Sequence, residues 1–348
     1  MRGTPKGRVV RRLVLTHRRE LSVAAAYLAL LLALVVVAPA FFELANLRDL
    51  LMRAAPLLVA AVGMTVVILA RQIDISIGSQ FAICGVVAGL LAKAGLPMPV
   101  AAAGAVLAGA LLGAVNGLLV ATLGLPAIVV TLATMVGWRE GLRWATEGVW
   151  VQGLPDGFQW LGLGQDTGRI VIPAIAAVVF IVAAWALRNI AAGRAVYATG
   201  SDPEVARLAG IRPKRVLFGV FVLMGALTGL AAVLSVIQFV DVQTNAGIGL
   251  ELSVIAAVVV GGTAIAGGRG TLAGTLLGVM LLSTAGPALT FLGADAHWDR
   301  ALQGLIILAA VAADAIGRRQ SESGAAAAAG PAGQAAVAAA AVSGGGAS

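Results

Sequence analysis

The sequence predicts an all-α polytopic membrane protein with about 10 transmembrane helices. Two observations predict it. Of 348 residues, 60% are A, V, I, L, M, F, W, Y or C and only 11% are charged, against about 25% charged in ordinary soluble domains. Mean hydropathy is +0.98. A soluble fold needs polar surface to cover its core, so a cytosolic enzyme, a secreted disulfide scaffold and a disordered chain are excluded. The apolar residues also come in long unbroken runs, each near the roughly 20 residues one crossing takes. A membrane β-barrel would instead show alternating strands of about 10 residues.

The first span is read at 21–42. Its run is longer than the 7–15 apolar residues of a signal peptide, and more spans follow, so a retained helix is expected. Spans at 54–71 and 75–92 are joined by a very short connection, as are 250–267 and 271–293. Either pair can hold a broken or re-entrant helix. The remaining spans are read at 98–122, 124–139, 170–187, 215–240 and 300–316. Residues 140–169 form the longest outside loop, with Trp138, Trp144, Trp150 and Trp160 in or beside it. Tryptophan favours the half-wet membrane interface, so an aromatic belt is expected there. The organisation is a basic tail (1–20), a membrane domain (21–317) and an Ala/Gly-rich tail (318–348) too uniform to bury a core.

Charge sets the direction. Seven basic residues fall in the first 19, six in 188–215, and Arg318 and Arg319 close the last span, which is fifteen of 24. The positive-inside rule puts all three groups, and both termini, in the cytoplasm. The net charge of +8 is thus a topology signal. It implies no nucleic-acid partner, because no folded basic domain carries it.

Chemistry is sparse. Cys84 is a lone packing residue inside an apolar run, and His17 and His297 are far apart, so no metal site is expected. The glycine-rich stretch 261–278 has no lysine, so no nucleotide-phosphate loop exists and no ATPase of the chain's own. No catalytic residue stands out.

Four features carry function. The first is RQIDISIGS, Arg71 to Ser79. A charge deep in the bilayer costs about 2.5–3.5 kcal/mol on insertion scales. Asp74 is therefore at an interface, paired with Arg71, or lining a wet path. Ser76 beside it suits a helix start, and the segment reads either as a polar turn or as a functional break. In the second, Gly109, Gly113 and Gly117 share a helix face for close packing, with Asn116 as the polar exception. The third runs from Asn245 to Gly278, where Gly270, Gly274 and Gly278 repeat that spacing and Glu251 opens an apolar run. Asp74-Ile75-Ser76-Ile77 and Glu251-Leu252-Ser253-Val254 share one residue order. Two such halves in opposite orientation suggest an inverted repeat. Asp74, Ser76, Asn116, Thr131 and Glu251 are the candidate path residues. The fourth is Gly193 to Val216, too polar to span. Ser201 or Asp202 can cap a short helix, Pro203 suits its first position, Glu204 favours its positive end, and Gly210 can stop it. Ala206 and Ala209 leave a flat face. The segment reads as a docking surface or as a basic loop that sets topology.

Four blocks in order resemble the permease subunit of bacterial ABC importers for ribose, xylose, rhamnose and related sugars. They are IDISIGS (73–79), GAVNGLLVATLGLPAIVVTLATM (113–135), the block 193–211 that ends in YATGSDPEVARLAGI, and ELSVIAAVVVGGTAIAGGRGTLAGTLLG (251–278). The resemblance implies an inner-membrane permease that pairs as a homodimer or paralogous heterodimer in the lipid bilayer. It implies a separate ABC ATPase that uses ATP and Mg, a periplasmic sugar-binding protein, and no cofactor on this chain. It also implies that Ser201, Asp202, Glu204, Ala206, Arg207, Ala209 and Gly210 form the coupling helix against the ATPase. Arg71-Gln72 stands where the family commonly has two glycines, and Ala285-Gly286-Pro287 where it often has Asn-Gly. The alternatives are an ABC permease for branched-chain amino acids or nucleosides, or an ion-coupled secondary carrier with Asp74 and Glu251 as ion sites.

Overall fold

A computed structural model describes residues 18–291 together with 293, 301, 304, 305 and 308. Eleven α-helices are seen among the described residues: α1 (Arg18–Val37), α2 (Leu44–Leu69), α3 (Ile77–Lys93), α4 (Met98–Ala121), α5 (Ala127–Ala145), α6 (Gln165–Asn189), α7 (Ala191–Ser201), α8 (Pro203–Leu208), α9 (Pro213–Val236), α10 (Leu250–Val260) and α11 (Leu272–Phe291). Six of them (α1, α2, α4, α6, α9 and α11) are long and apolar enough to cross a membrane. The architecture is the all-α polytopic one that composition predicts. Residues 304–348 form a second compact unit, of which Gly304, Leu305 and Leu308 are described and helical. Most of the 300–316 span, His17, His297, Arg318, Arg319 and the Ala/Gly tail lie outside the described residues.

α2 is the enclosed centre. From Leu58 through Ala70 every residue is buried, which fits a helix that is apolar all round. α9, α6, α11 and α10 pack around it. α6 is the opposite case: Val178, Ile181, Val182 and Trp185 all face outward, as a lipid-facing stripe would.

α4 and α9 form the closest helix pair. A side-chain carbon on Gly109 would strike the carbonyl of Gly225, and one on Gly113 would strike that of Phe221. Gly117 meets Phe218 in the same way. Removing three side chains from one face brings the two backbones together, as expected for small-residue packing in a membrane.

The helix edges correct several expectations. α2 begins ten residues before the expected 54, because Arg48, Asp49 and Arg53 interrupt the apolar run without breaking the helix. At 26 residues it is about 39 Å long and overshoots a hydrocarbon core of about 30 Å. α5 continues to Ala145 and α6 starts at Gln165, so the loop expected at 140–169 is 146–164. That loop is tied down: Val151 and Val242 exchange backbone hydrogen bonds of 3.0 Å each, and Trp160 N–H donates to the Ile237 carbonyl at 2.9 Å.

The expected span at 250–267 stops as a helix at Val260. Gly262, Gly267 and Gly268 have φ of 94°, 83° and 69°, backbone that favours glycine. With 11 residues, α10 is about 16 Å long, half a crossing. The broken helix is therefore in this pair. Gly270 also lies outside α11, with φ 157°, so only Gly274 and Gly278 belong to the expected helix face.

Candidate translocation and coupling sites

Seven irregular residues separate α2 from α3, and Asp74 sits among them. It is fully buried. Its Oδ1 accepts from the Ser76 backbone N–H at 2.9 Å and from Ser76 Oγ at 2.5 Å, and its Oδ2 accepts from Gln80 Nε2 at 3.1 Å. The first of these is the local turn that aspartate makes with its own backbone two residues on. The carboxylate also stands at the amino end of α3, where the helix dipole favours negative charge. Arg71 does not pair with it: its side chain is exposed while Asp74 is enclosed, and no ion pair joins them among the described residues. Of the three placements that the sequence leaves open for Asp74, the pair with Arg71 is not the one formed.

The cluster extends across three helices. Ser76 Oγ accepts from Gln80 Nε2 and from Asn116 Nδ2, both at 2.8 Å. Asn116 Oδ1 accepts from Thr134 Oγ1 at 2.9 Å. Ser79 Oγ donates to the Met135 carbonyl at 2.7 Å. So α3, α4 and α5 are stitched together by polar groups in an apolar setting, where an unmade hydrogen bond is expensive. Thr131 is buried too, but its hydroxyl donates back to the Ala127 carbonyl of its own helix at 2.8 Å. Gln80 and Thr134 were missed by sequence reading. The available signal was spacing: Gln80 is four residues after Ser76, one turn along the same face.

Glu251 is half-buried at the start of α10, where its Oε1 accepts from the Gly249 N–H at 3.2 Å. A carbon added to Gly78 would meet Glu251 Oε2 and the Gly247 carbonyl. The amino ends of α3 and α10 thus approach each other, and the two similar motifs come together. The helix faces that follow are used differently. The glycines of α4 meet α9, whereas Gly274 and Gly278 of α11 pack against Gly261 and Ala257 at the end of α10. Asp74, Ser76, Asn116 and Thr131 are all enclosed in this conformation, and of the five candidates only Glu251 reaches a surface.

The polar segment after α6 forms α7 and α8. Asp202, and not Ser201, caps α8: its Oδ1 accepts from the N–H of Glu204 at 2.9 Å and of Val205 at 3.1 Å. Ser201 is the last residue of α7. Pro203 takes the first helical position, Glu204 pairs with Arg207 at 2.8 Å, and Gly210 closes the turn at φ 82°. The flat alanine face is only half as expected, because Ala206 is turned inward while Ala209 is exposed. What α8 presents instead is Val205 and Leu208, 60% and 84% exposed, an apolar pair left open by the described residues.

α7 leans on the glycine-rich loop 261–271. Gly200 lies against the Leu69 carbonyl and Gly268, and the Gly268 N–H donates to that same carbonyl at 2.9 Å. Tyr197 Oη donates to the Gly270 carbonyl at 2.9 Å. Burial pushes the Tyr197 phenol above its ordinary pKa, so it remains a neutral donor. Among the described residues no group of His, Cys, Asp and Glu could hold a metal ion.

A helical membrane protein with a half-length helix, two helix amino ends meeting beside buried polar groups, and a capped polar helix pair outside the spans has the build of a transport permease. The sequence comparisons make this specific. Residues 46–311 match the family described as branched-chain amino acid transport system / permease component, and the chain belongs to that family. It is 35% identical over 302 residues to the autoinducer 2 import system permease protein LsrC of Enterobacter sp. (strain 638), covering 86% of this chain and 88% of the relative. It is 36% identical over 293 residues to the ribose import permease protein RbsC of Escherichia coli (strain K12), covering 83% and 91%. No solved structure matches.

Proposed function

We propose that this chain is the membrane-spanning permease of an ATP-driven, binding-protein-dependent importer of a monosaccharide of the pentose or deoxyhexose type. One observation carries the reading: identity near 35% with two kinds of import permease, ribose and autoinducer 2, over more than four fifths of each chain. The family description names branched-chain amino acids, but the full-length likeness is to the ribose and autoinducer 2 permeases.

In this reading the permease is a multi-pass protein of the inner membrane with both termini in the cytoplasm. Two copies, or this chain and a paralogue, enclose the path. A partner ABC ATPase, which uses ATP and Mg, docks on α7–α8 through Ser201, Asp202, Glu204, Arg207, Ala209 and Gly210, with Val205 and Leu208 as apolar anchors. Ala206 holds α8 to its own chain. A periplasmic sugar-binding protein docks outside and supplies most of the specificity. ATP binding draws the α8 helices of the two copies together, and the halves rock to open the path to the other side. A partner can shift that equilibrium only by binding one state better.

The test is reconstitution of the permease with its partner ABC ATPase and sugar-binding protein. ATP-dependent uptake of ribose or a related sugar is expected, with none by the permease alone. Uptake of leucine or a nucleoside in place of sugars would overturn the substrate class. Uptake by the single chain without ATP would overturn the ATP-driven reading.

A further inference from the structure

A groove of about 410 Å³ lies between α6, α7 and α9, with Val66 of α2 as part of its floor. Its walls are aliphatic: Leu187, Ile190, Val196, Val220 and Leu223 line it. Arg215 is the only charged residue in the lining. Nothing in the described chain fills the space, and a carbon added to Gly219 in its wall would meet no atom within 4 Å.

The position of the groove says what kind of molecule fits. It sits where α6 ends and α9 begins, at the basic segment that charge bias assigns to the cytoplasmic face. Arg188, Arg194, Arg207, Arg212, Lys214 and Arg215 lie in that segment against only Asp202 and Glu204. Both acids are already engaged, one as the α8 cap and one with Arg207. The flanking helix faces are apolar and exposed, with Trp185 on α6 and Phe218 on α9 at 59% and 39% exposure. Trp185 is one turn before Asn189, the depth at which an indole sits at the edge of a bilayer. An apolar slot open to the acyl region, with a cation at its polar end, is complementary to one amphiphile: an acyl chain below and an anionic head above.

We propose that this groove is a binding site for an anionic phospholipid of the cytoplasmic leaflet, with an acyl chain in the slot and the phosphate on Arg215. The lipid then bridges α6, α7 and α9. Because α7 continues into α8, the same lipid steadies the base of the polar helix pair. The proposal stands on this chain's own residues and does not depend on which substrate is carried.

The test uses the full chain, purified in detergent and titrated with phosphatidylglycerol or with phosphatidylcholine of the same acyl chains, and bound lipid is counted by native mass spectrometry. Phosphatidylglycerol is expected to be retained over phosphatidylcholine. Arg215→Gln should weaken its retention about fivefold, the effect of about 1 kcal/mol for one cation at an anionic surface. Gly219→Leu fills the slot without changing charge and should lower retention at least as much. Arg143→Gln, an exposed cation on α5, should have no effect. Equal retention of the two lipids, or wild-type retention by both groove variants, overturns the proposal. So does efficient disulfide cross-linking of Gly219→Cys between two copies in a Cys84→Ala background, since the groove would then be an interface.

Discussion

Replacing Asp74 with leucine tests whether its carboxylate holds the break between α2 and α3. The carboxylate takes three hydrogen bonds, from Ser76 N–H, Ser76 Oγ and Gln80 Nε2. In Asp74→Leu the serine hydroxyl can rotate to another acceptor, but the Ser76 N–H and the Gln80 amide lose theirs inside a sealed site. Each orphaned buried donor costs about 1–3 kcal/mol, so two cost about 2–6 kcal/mol. The added apolar burial returns about 1–2 kcal/mol, leaving a net loss of about 0–5 kcal/mol, about 2.5 at mid-range. Asp74→Asn behaves differently. Its Oδ1 keeps both Ser76 bonds, and Gln80 can turn its amide so that Oε1, which has no partner now, accepts from the new Nδ2, giving up only the bond from Gln80 Nε2 to Ser76 Oγ. That variant should lose about 0.5–1.5 kcal/mol, the net worth of one hydrogen bond. The assay is thermal unfolding of the purified variants in one detergent. Asp74→Asn is expected close to wild type and Asp74→Leu clearly below both. If leucine and asparagine unfold alike, the carboxylate is not what holds this turn.

Three other outcomes follow from the same structure. Glu204→Arg puts a second cation beside Arg207 at the amino end of α8 and should abolish transport-coupled ATPase stimulation without changing the unfolding temperature; wild-type uptake would remove α8 from the coupling role. Gly109→Val drives a side chain into the Gly225 carbonyl and should cost about 1–3 kcal/mol or more by overpacking, whereas Gly137→Ala on α5, where nothing lies within 4 Å, should be neutral or stabilising by up to about 1 kcal/mol; thermal unfolding of both in one detergent checks the contrast. Gly200→Ala sets a methyl against the Leu69 carbonyl and should lower uptake per ATP hydrolysed; unaltered coupling would show that this contact carries no motion.

Much of the fold was legible because a bilayer leaves the chain few choices. α4 was expected at 98–122 and found at Met98–Ala121, since every backbone group in lipid must be paired within its own helix. The α8 cap was equally local, as Asp202-Pro203-Glu204 specifies it within three residues. What failed was relational. The glycine face of α4 announces a close neighbour, but nothing in it says that the neighbour is α9. A pair with Arg71 was one of three readings open for Asp74, because opposite charges three residues apart can meet. The turn carries the arginine outward instead, and neutral donors take its place. Gln80 and Thr134 escaped notice because one polar residue in an apolar run carries no pattern of its own.

The half-length of α10 explains why the two candidate sites are adjacent. A full crossing would carry the chain past the level of Asp74 in one rigid rod. α10 stops at Val260, and the glycine-rich loop that follows folds against Leu69, Gly200 and Ser201. Leu69 is five residues before Asp74. Its carbonyl receives the Gly268 N–H and touches Gly200 with no side chain between them. A side chain at such a contact could change rotamer and absorb a displacement, but backbone against backbone cannot. If a partner pulls on α8, then α7, the loop and the end of α2 must move together or separate. The buried cluster around Asp74 hangs from that end and is cross-braced to α4 and α5 through Asn116 and Thr134. Its network of paired donors therefore favours one discrete arrangement over a graded one. This is how a short exposed helix could set the position of helix ends buried well within the fold.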